Sequence, residues 1–172
     1  MLKFSKFIFC PHCASKNIVE QTEKSMECCD CGFVYFHNSA IAVATLIEKE
    51  GKILLCRRAF DPGKGKLDLP GGFVDYHESL EDALKREAKE ELNVDIKNIK
   101  YFSSSSNTYL YKGITYFPTD VFFTCEIASN YVDMKVADDV AEFMWLALKD
   151  INLDDIAFES VKKMLKLYSK KL

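Results

Sequence analysis

The sequence predicts an α+β or α/β sandwich, a mixed sheet with few helices, behind a short cysteine-rich N-terminal segment. Three observations carry this. From residue 40 onward, apolar and β-branched runs alternate with turns marked by Gly, Asn and Pro, as strands do. Only two stretches, 79–92 and one after residue 154, show helical spacing. Five of the seven cysteines fall within residues 10–31.

At 172 residues the chain has room for one domain plus a small module. A composition 48% hydrophobic and 28% charged excludes disorder and low-complexity architecture. The balance of 23 Lys+Arg against 26 Asp+Glu gives a formal charge of −3, without the basic excess that would point to nucleic acid. No apolar run approaches the roughly 20 residues of a membrane span. The apolar stretch within residues 1–10 is too short for the core of a signal peptide. A cytoplasmic protein with no membrane partner is expected.

The first element is a pair of C-x2-C motifs, Cys10-Pro11-His12-Cys13 and Cys28-Cys29-Asp30-Cys31-Gly32, fourteen residues apart. Each can place two thiolates on one ion from a tight turn. Together Cys10, Cys13, Cys28 and Cys31 complete a tetrahedral S4 site for a structural Zn2+. Gly32 can take positive φ and turn its amides toward sulfur. Disulfides are the alternative, which a reducing cytosol disfavours. Cys29 is spare, and either it or His12 could replace a ligand. Residues 1–38 are too few for a self-sufficient core, so the metal is expected to hold this zinc ribbon together. Its Lys3, Lys6, Lys16 and Lys24 are offset by Glu20, Glu23, Glu27 and Asp30, which argues against nucleic acid as a partner.

The second domain is 39–172. Residues 40–48 and 53–57 form a hairpin through Lys49-Glu50-Gly51-Lys52. Residues 61–66 are a loop, and 67–69 a short strand that stops at Pro70-Gly71-Gly72. After the 79–92 helix come strands at 99–102, 108–111 and 114–127, with Lys112-Gly113 as a turn and Pro118 marking an edge or bulge. Residues 143–148 are a further strand. Asp154 or Asp155 caps a last helix carrying Phe158, Val161, Leu165 and Tyr168. Cys56 and Cys125 sit in strand-like runs and read as core.

The 79–92 helix has charges on its apolar side. At about 100° per residue, Leu80, Ala83, Leu84, Ala88 and Leu92 define one face. Glu78, Asp82, Lys85, Arg86 and Lys89 project opposite, toward solvent. Glu87 and Glu91, one turn apart, project near Leu80 and Leu84, with Glu90 on the flank. Such acids are costly to leave unpaired and repel one another unless a cation lies between them. Oxygen-only ligands select Mg2+ or Mn2+. Gly71-Gly72 permits close backbone approach, so a carbonyl there can face the ion.

The run Gly72-x5-Glu78-x7-Arg86-Glu87-Ala88-x-Glu90-Glu91-x-Asn93-Val94 resembles the Nudix box, G-x5-E-x7-R-E-U-x-E-E-x-G-U with U apolar. Asn93 stands where the family has Gly, and it tolerates the left-handed conformation of a helix C-cap. With the elements around it, the resemblance extends over 40–172. A zinc ribbon fused before such a domain is similar to the NADH pyrophosphatase and ADP-ribose/FAD pyrophosphatase branches.

The resemblance implies an α/β/α sandwich that hydrolyses the pyrophosphate bond of a nucleoside diphosphate linked to another moiety. ADP-ribose or a related adenine dinucleotide is the substrate class it suggests. It implies Glu87, Glu90 and Glu91 as Mg2+ or Mn2+ ligands, with the Gly71 carbonyl as a fourth. Arg86 would orient a box glutamate, Glu78 among them, through a bidentate pair. One further acid is expected after the box, at Glu142 or at its rivals Asp138 and Asp139. Arg57, Arg58, Lys64 and Lys66 could meet substrate phosphates, or the lysines could simply be solvated. NADH pyrophosphatases carry Ser-Gln-Pro-Trp-Pro-Phe-Pro-x-Ser after the box. This chain has Ser103-Ser104-Ser105-Ser106-Asn107-Thr108-Tyr109 and Tyr116-Phe117-Pro118, which counts against NADH. Tyr109, Tyr111, Tyr116 and Phe117 could stack a base or fill the core. A homodimer is compatible with the resemblance. A catalytically silent nucleotide sensor on the same fold, or a zinc-ribbon nucleic-acid module, are the alternatives.

Overall fold

The structure, a computed structural model, describes residues 7–128, 134–135 and 140–171. Its contacts divide the chain into two compact units, Met1–Ser39 and Ala40–Leu172. In the first, β1 (Ile18–Thr22), β2 (Ser25–Cys28) and β3 (Val34–Phe36) form an antiparallel sheet in that order. Among its described residues the buried apolar side chains are Cys10, Met26 and Cys28, too few to stabilise a fold by burial alone.

The second unit contains β4 (Ile41–Lys49), β5 (Lys52–Arg58), β6 (Leu67–Asp68), β7 (Gly71–Phe73) and the helix α1 (Leu80–Leu92). Next come β8 (Ile96–Ser106), β9 (Tyr109–Tyr111), β10 (Ile114–Tyr116), β11 (Thr119–Ile127), β12 (Val140–Ala147) and the helix α2 (Glu159–Tyr168). The main sheet runs β12-β5-β4-β11-β8, with β6 paired to β5 and β7 to β4. The pair β4–β11 is parallel and the others are antiparallel, so the sheet is mixed. Because side chains alternate across a strand, the sheet has two apolar faces. Val43, Ile47, Val121, Phe123 and Cys125 pack with Ala83, Leu84, Ala88 and Leu92 of α1. Leu46, Leu55 and Phe122 pack with Val161, Met164 and Leu165 of α2. The result is an α/β/α sandwich.

One feature of the sheet positions the site. β4 and β5 pair only next to their turn, at Glu48–Ile53 and Lys49–Lys52. Beyond it the two strands part, and β7 and β6 pair their inner edges instead. An opening results at one end of the sheet.

Several elements differ from the sequence expectation. Gly71 and Gly72 belong to a strand, not to a turn, because pairing with Ala44 and Val43 extends them. The Ser103–Ser106 run continues β8, since β11 supplies its hydrogen-bond partners and overrides serine's low strand preference. The expected 114–127 strand breaks at Phe117-Pro118 into β10 and β11, because proline offers no N–H to a ladder. Asp154 and Asp155 lie in a one-turn 3-10 segment, and α2 starts later, with Phe158 as its N-cap. The helix α1 is capped by Ser79, whose side chain accepts from the Asp82 amide, and by Asn93 at φ 54°. Among the described residues no helix is long and apolar enough to cross a membrane.

Candidate active site

The α1 wheel places Glu87 and Glu91 on the stripe with Ala83, Leu84 and Ala88, and both are buried, at 9% and 7% exposure. Glu90 lies on the flank, its side chain 47% exposed. They form one wall of a cavity of about 240 Å3 at the β4–β5 opening. Gly71 and Gly72 form the adjacent wall, with Ala42 and Ala44 beside them. Missing side chains make this approach possible. A Cβ on Gly72 would lie 2.7 Å from Glu87 Cδ, and one on Gly71 would lie 2.8 Å from Ala44 Cα.

Arg86 organises the acids. Its Nε and Nη2 donate to the two oxygens of Glu78 at 2.9 Å each. Its Nη1 donates to Glu87 (2.7 Å) and Glu90 (2.9 Å), and Nη2 also reaches the Phe73 carbonyl at 3.0 Å. The expectation that Glu78 and Arg86 are solvated fails for both, because this fork draws them together. The Glu78 side chain is only 14% exposed, and Arg86, bonded to it, holds its carboxyl below the ordinary range. Glu91 instead accepts from the Gly71 amide at 3.0 Å. Burial pushes its carboxyl well up, against that amide, and the charge of Glu87 adds to the rise.

Two acids the sequence reading missed also line the cavity. Asp68 pairs with Arg58 at 3.0 Å and accepts from the Leu69 amide, yet burial pushes it up to about 6. Asp120 is 7% exposed and accepts from Ser160 at 2.5 Å. Burial raises it too, while Ser160 and Asn107 pull down. The signal available in sequence was an acid inside an apolar strand run, Asp68 between two leucines and Asp120 before Val121-Phe122-Phe123. Tyr109 and Phe158, also in the lining, stack at 5.7 Å, and the Arg58 guanidinium lies over Phe158 at 5.1 Å.

Other sequence candidates fall elsewhere. Arg57 and Arg58 are consecutive on β5 and face opposite ways. Arg58 lines the cavity. Arg57 is turned from it, bonded to Glu142 (2.5 Å) and to the Gly65 carbonyl. Glu142, opposite Arg57 in the β12–β5 register, is therefore turned away too and does not line the cavity. Asp138 and Asp139 lie outside the described residues. Lys64 and Lys66 are exposed and off the lining. Of the four aromatic candidates Tyr109 alone lines the cavity, while Tyr111, Tyr116 and Phe117 are exposed.

In the first unit, the sulfurs of Cys10, Cys13, Cys28 and Cys31 all lie within 4.8 Å of one another, a group that could hold a metal. Among the described residues no other three His, Cys, Asp or Glu ligand atoms converge as closely. Cys10 and Cys31 are 3.8 Å apart, Cys13 and Cys28 3.6 Å, and all are free thiols. Burial pushes the Cys28 thiol up, but the Asp30 and Cys31 amides and neighbouring thiols bring it down to about 7. Cys29 and His12 are outside the group, and the His12 ring stacks on Phe33. Cys56 and Cys125 are buried, Cys56 on the cavity lining and Cys125 bonded to Thr45.

A carboxylate-bearing helix set against a glycine strand, on a mixed sheet covered by two helices, defines the class. The NUDIX domain family model matches residues 36–168, and the chain belongs to that family. The chain is 26% identical over 143 residues to the NAD-capped RNA hydrolase NudC of Vibrio parahaemolyticus, covering 83% of this chain and 52% of that protein. It is 35% identical over 104 residues to the protein of the same name from Chromobacterium violaceum, covering 60% and 38%. The chain thus spans about half the length, or less, of these curated relatives. A NUDIX hydrolase from Nitrosomonas europaea superposes with a TM-score of 0.75 at 26% identity, covering 95% of this chain and 90% of that one. The NUDIX domain of Shewanella oneidensis NrtR, solved with ADP ribose, gives 0.64 at 22% identity, covering 79% and 90%, a likeness of fold.

Proposed function

We propose that the chain hydrolyses the diphosphate link of a nucleoside diphosphate joined to another moiety, with ADP-ribose or a related adenine dinucleotide of NAD or FAD type as substrate. One observation carries this. Glu87 and Glu91 are buried together on a cavity wall, and Glu91 is bonded to an amide rather than to a basic side chain. An acid pair kept this way is costly unless it serves a cation.

Glu87, Glu90, Glu91 and the Gly71 carbonyl are the groups that would hold Mg2+ or Mn2+, and an all-oxygen donor set suits those ions. When bound, a divalent ion neutralises phosphate charge and lowers the pKa of its water. The chain's own residues supply the rest. Arg86 fixes Glu87 and Glu90 and is itself fixed by Glu78. Glu90, the most exposed of the three acids, takes the proton of the attacking water through the oxygen not bonded to Arg86. Arg58 offers a cation to a phosphate oxygen. Water adds at phosphorus as the bridging P–O bond breaks, giving two phosphomonoesters. Arg57 and Glu142, off the cavity, take no part.

In the first unit we assign a structural Zn2+ to Cys10, Cys13, Cys28 and Cys31. Tetrahedral Zn–S bonds of about 2.3 Å require sulfurs about 3.8 Å apart. The spacings of 3.6 and 3.8 Å meet that.

The names of the NudC relatives favour a second reading, in which the dinucleotide is the NAD cap of an RNA. The test is incubation with ADP-ribose, NAD, FAD and NAD-capped RNA, with Mg2+ or with chelator. AMP and a second phosphomonoester from ADP-ribose, NAD and FAD, and nicotinamide mononucleotide with a 5′-monophosphate RNA from the capped RNA, are expected with Mg2+ and not with chelator. Absence of phosphomonoester products from every substrate overturns the proposal.

A further inference from the structure

The cavity is lined from both faces of the sheet. Across the sheet, Asp120, Ala42 and Phe73 form one row, and Phe122, Ala44 and Gly71 form the row two residues along. The Gly71 amide anchors Glu91. Asp120 shares the face of Phe122, where Ser160 of α2 bonds it, whereas the α1 acids reach the cavity from the face of Val121 and Phe123, so the two sets of carboxylates enter it from opposite sides of the sheet. A diphosphate held on the α1 acids leaves the Asp120 side to the group bonded to it. The space exists because Ala42 and Ala44, both on the lining, carry only methyl groups there.

The charges around Asp120 do not balance. Asp68 is offset by Arg58. Asp120 has hydroxyl and amide partners but no ion pair among the described residues. In surroundings poor in water a carboxylate attracts O–H and N–H donors and repels an anion strongly.

We propose that Asp120 determines substrate specificity: its carboxylate accepts hydrogen bonds from hydroxyl or amino groups of the uncharged part of the substrate and turns away a substrate bearing a further phosphate at that place. This deepens the hydrolase reading and rests on it for the orientation of the diphosphate.

The test compares ADP-ribose with two relatives carrying one extra phosphate, on the adenosine ribose (2′-phospho-ADP-ribose) or on the terminal ribose (ADP-ribose 1″-phosphate). Wild type is expected to prefer ADP-ribose over at least one of them by about tenfold or more in kcat/KM. Asp120→Asn keeps the shape and an acceptor for Ser160 but removes the charge, and it closes that gap. Asp120→Ser serves if the amide variant does not fold. Equal handling of all three by wild type, or a proportional loss on all three in the variant, overturns the assignment and leaves the hydrolase intact. If none is hydrolysed, the hydrolase reading fails and equilibrium dialysis with Mg2+ decides. Discrimination in wild type that the variant loses supports Asp120; its absence, or no binding, overturns it.

Discussion

Arg86 holds Glu78, eight residues earlier in the chain, through two parallel hydrogen bonds of 2.9 Å, and with its third nitrogen holds Glu87 and Glu90. One guanidinium therefore ties the segment before α1 to two acids on the helix and, through the Phe73 carbonyl, to β7.

Arg86→Lys is not conservative at such a fork, because an ammonium cannot make the parallel pair. A loss of about 2 kcal/mol or more is expected in urea unfolding, with turnover reduced. Glu78 is depressed in the fold, so its contribution is present above its ordinary pKa and lost as pH falls through the lower folded value. That acid-side loss shrinks in the Lys variant, which a pH series of midpoints measures.

Glu91→Gln is expected to stabilise the metal-free protein while abolishing function. The folded pKa of Glu91 is raised by burial, so its stability contribution is present at low pH and drains as pH climbs through the raised value. A neutral amide escapes that cost, about 1 kcal/mol or more at pH near 8. Melting in chelator checks this. Added Mg2+ should no longer raise Tm, and kcat should fall by about a hundredfold or more.

Asp68 gives a pH dependence of the same sign. Its carboxyl is pushed from 3.8 up to about 6 by burial. Relative to Asp68→Asn, wild type loses up to about 3 kcal/mol as pH rises from about 4 to about 7. Paired urea titrations across that range, differing by a constant amount, would refute it.

The two glycines of β7 separate geometry from stability. In Gly72→Ala the new methyl meets the mobile end of Glu87, 2.7 Å from Cδ, so the carboxylate swings aside. Mg2+-dependent activity is expected to fall with little change in Tm. In Gly71→Ala the methyl meets backbone 2.8 Å away at φ 144°, so unfolding free energy drops by about 2 kcal/mol or more.

Purified protein is expected to carry about one zinc per chain, lost on Cys13→Ser, with the first unit then exposed to protease. Metal analysis and limited proteolysis read this directly. Finding no zinc overturns the assignment.

How much was legible follows from the range of each interaction. The 3.6-residue period placed Glu87 and Glu91 on the buried stripe before any fold was known, and the αL tolerance of Asn93 gave the end of α1. The C-x2-C spacing gathered Cys10, Cys13, Cys28 and Cys31 into one group. The sequence offered Arg57 and Arg58 together, and only the fold shows that Arg58 lines the cavity while Arg57 is turned from it. Glu142, offered with Asp138 and Asp139 as a further acid, lies opposite Arg57 and off the lining.

The sequence by itself determined what a single turn or helix turn can encode: the acidic stripe of α1, its caps and the cysteine pairs. Tertiary structure decided what depends on partners far along the chain. It made strands of Gly71–Phe73 and of the serine run, and it opened β4 from β5. It also brought Asp68, Asp120 and Arg58 to one cavity. Local periodicity is set by backbone geometry and can be read from neighbours, whereas strand pairing and the burial of a lone acid are set by whatever the fold lays beside it.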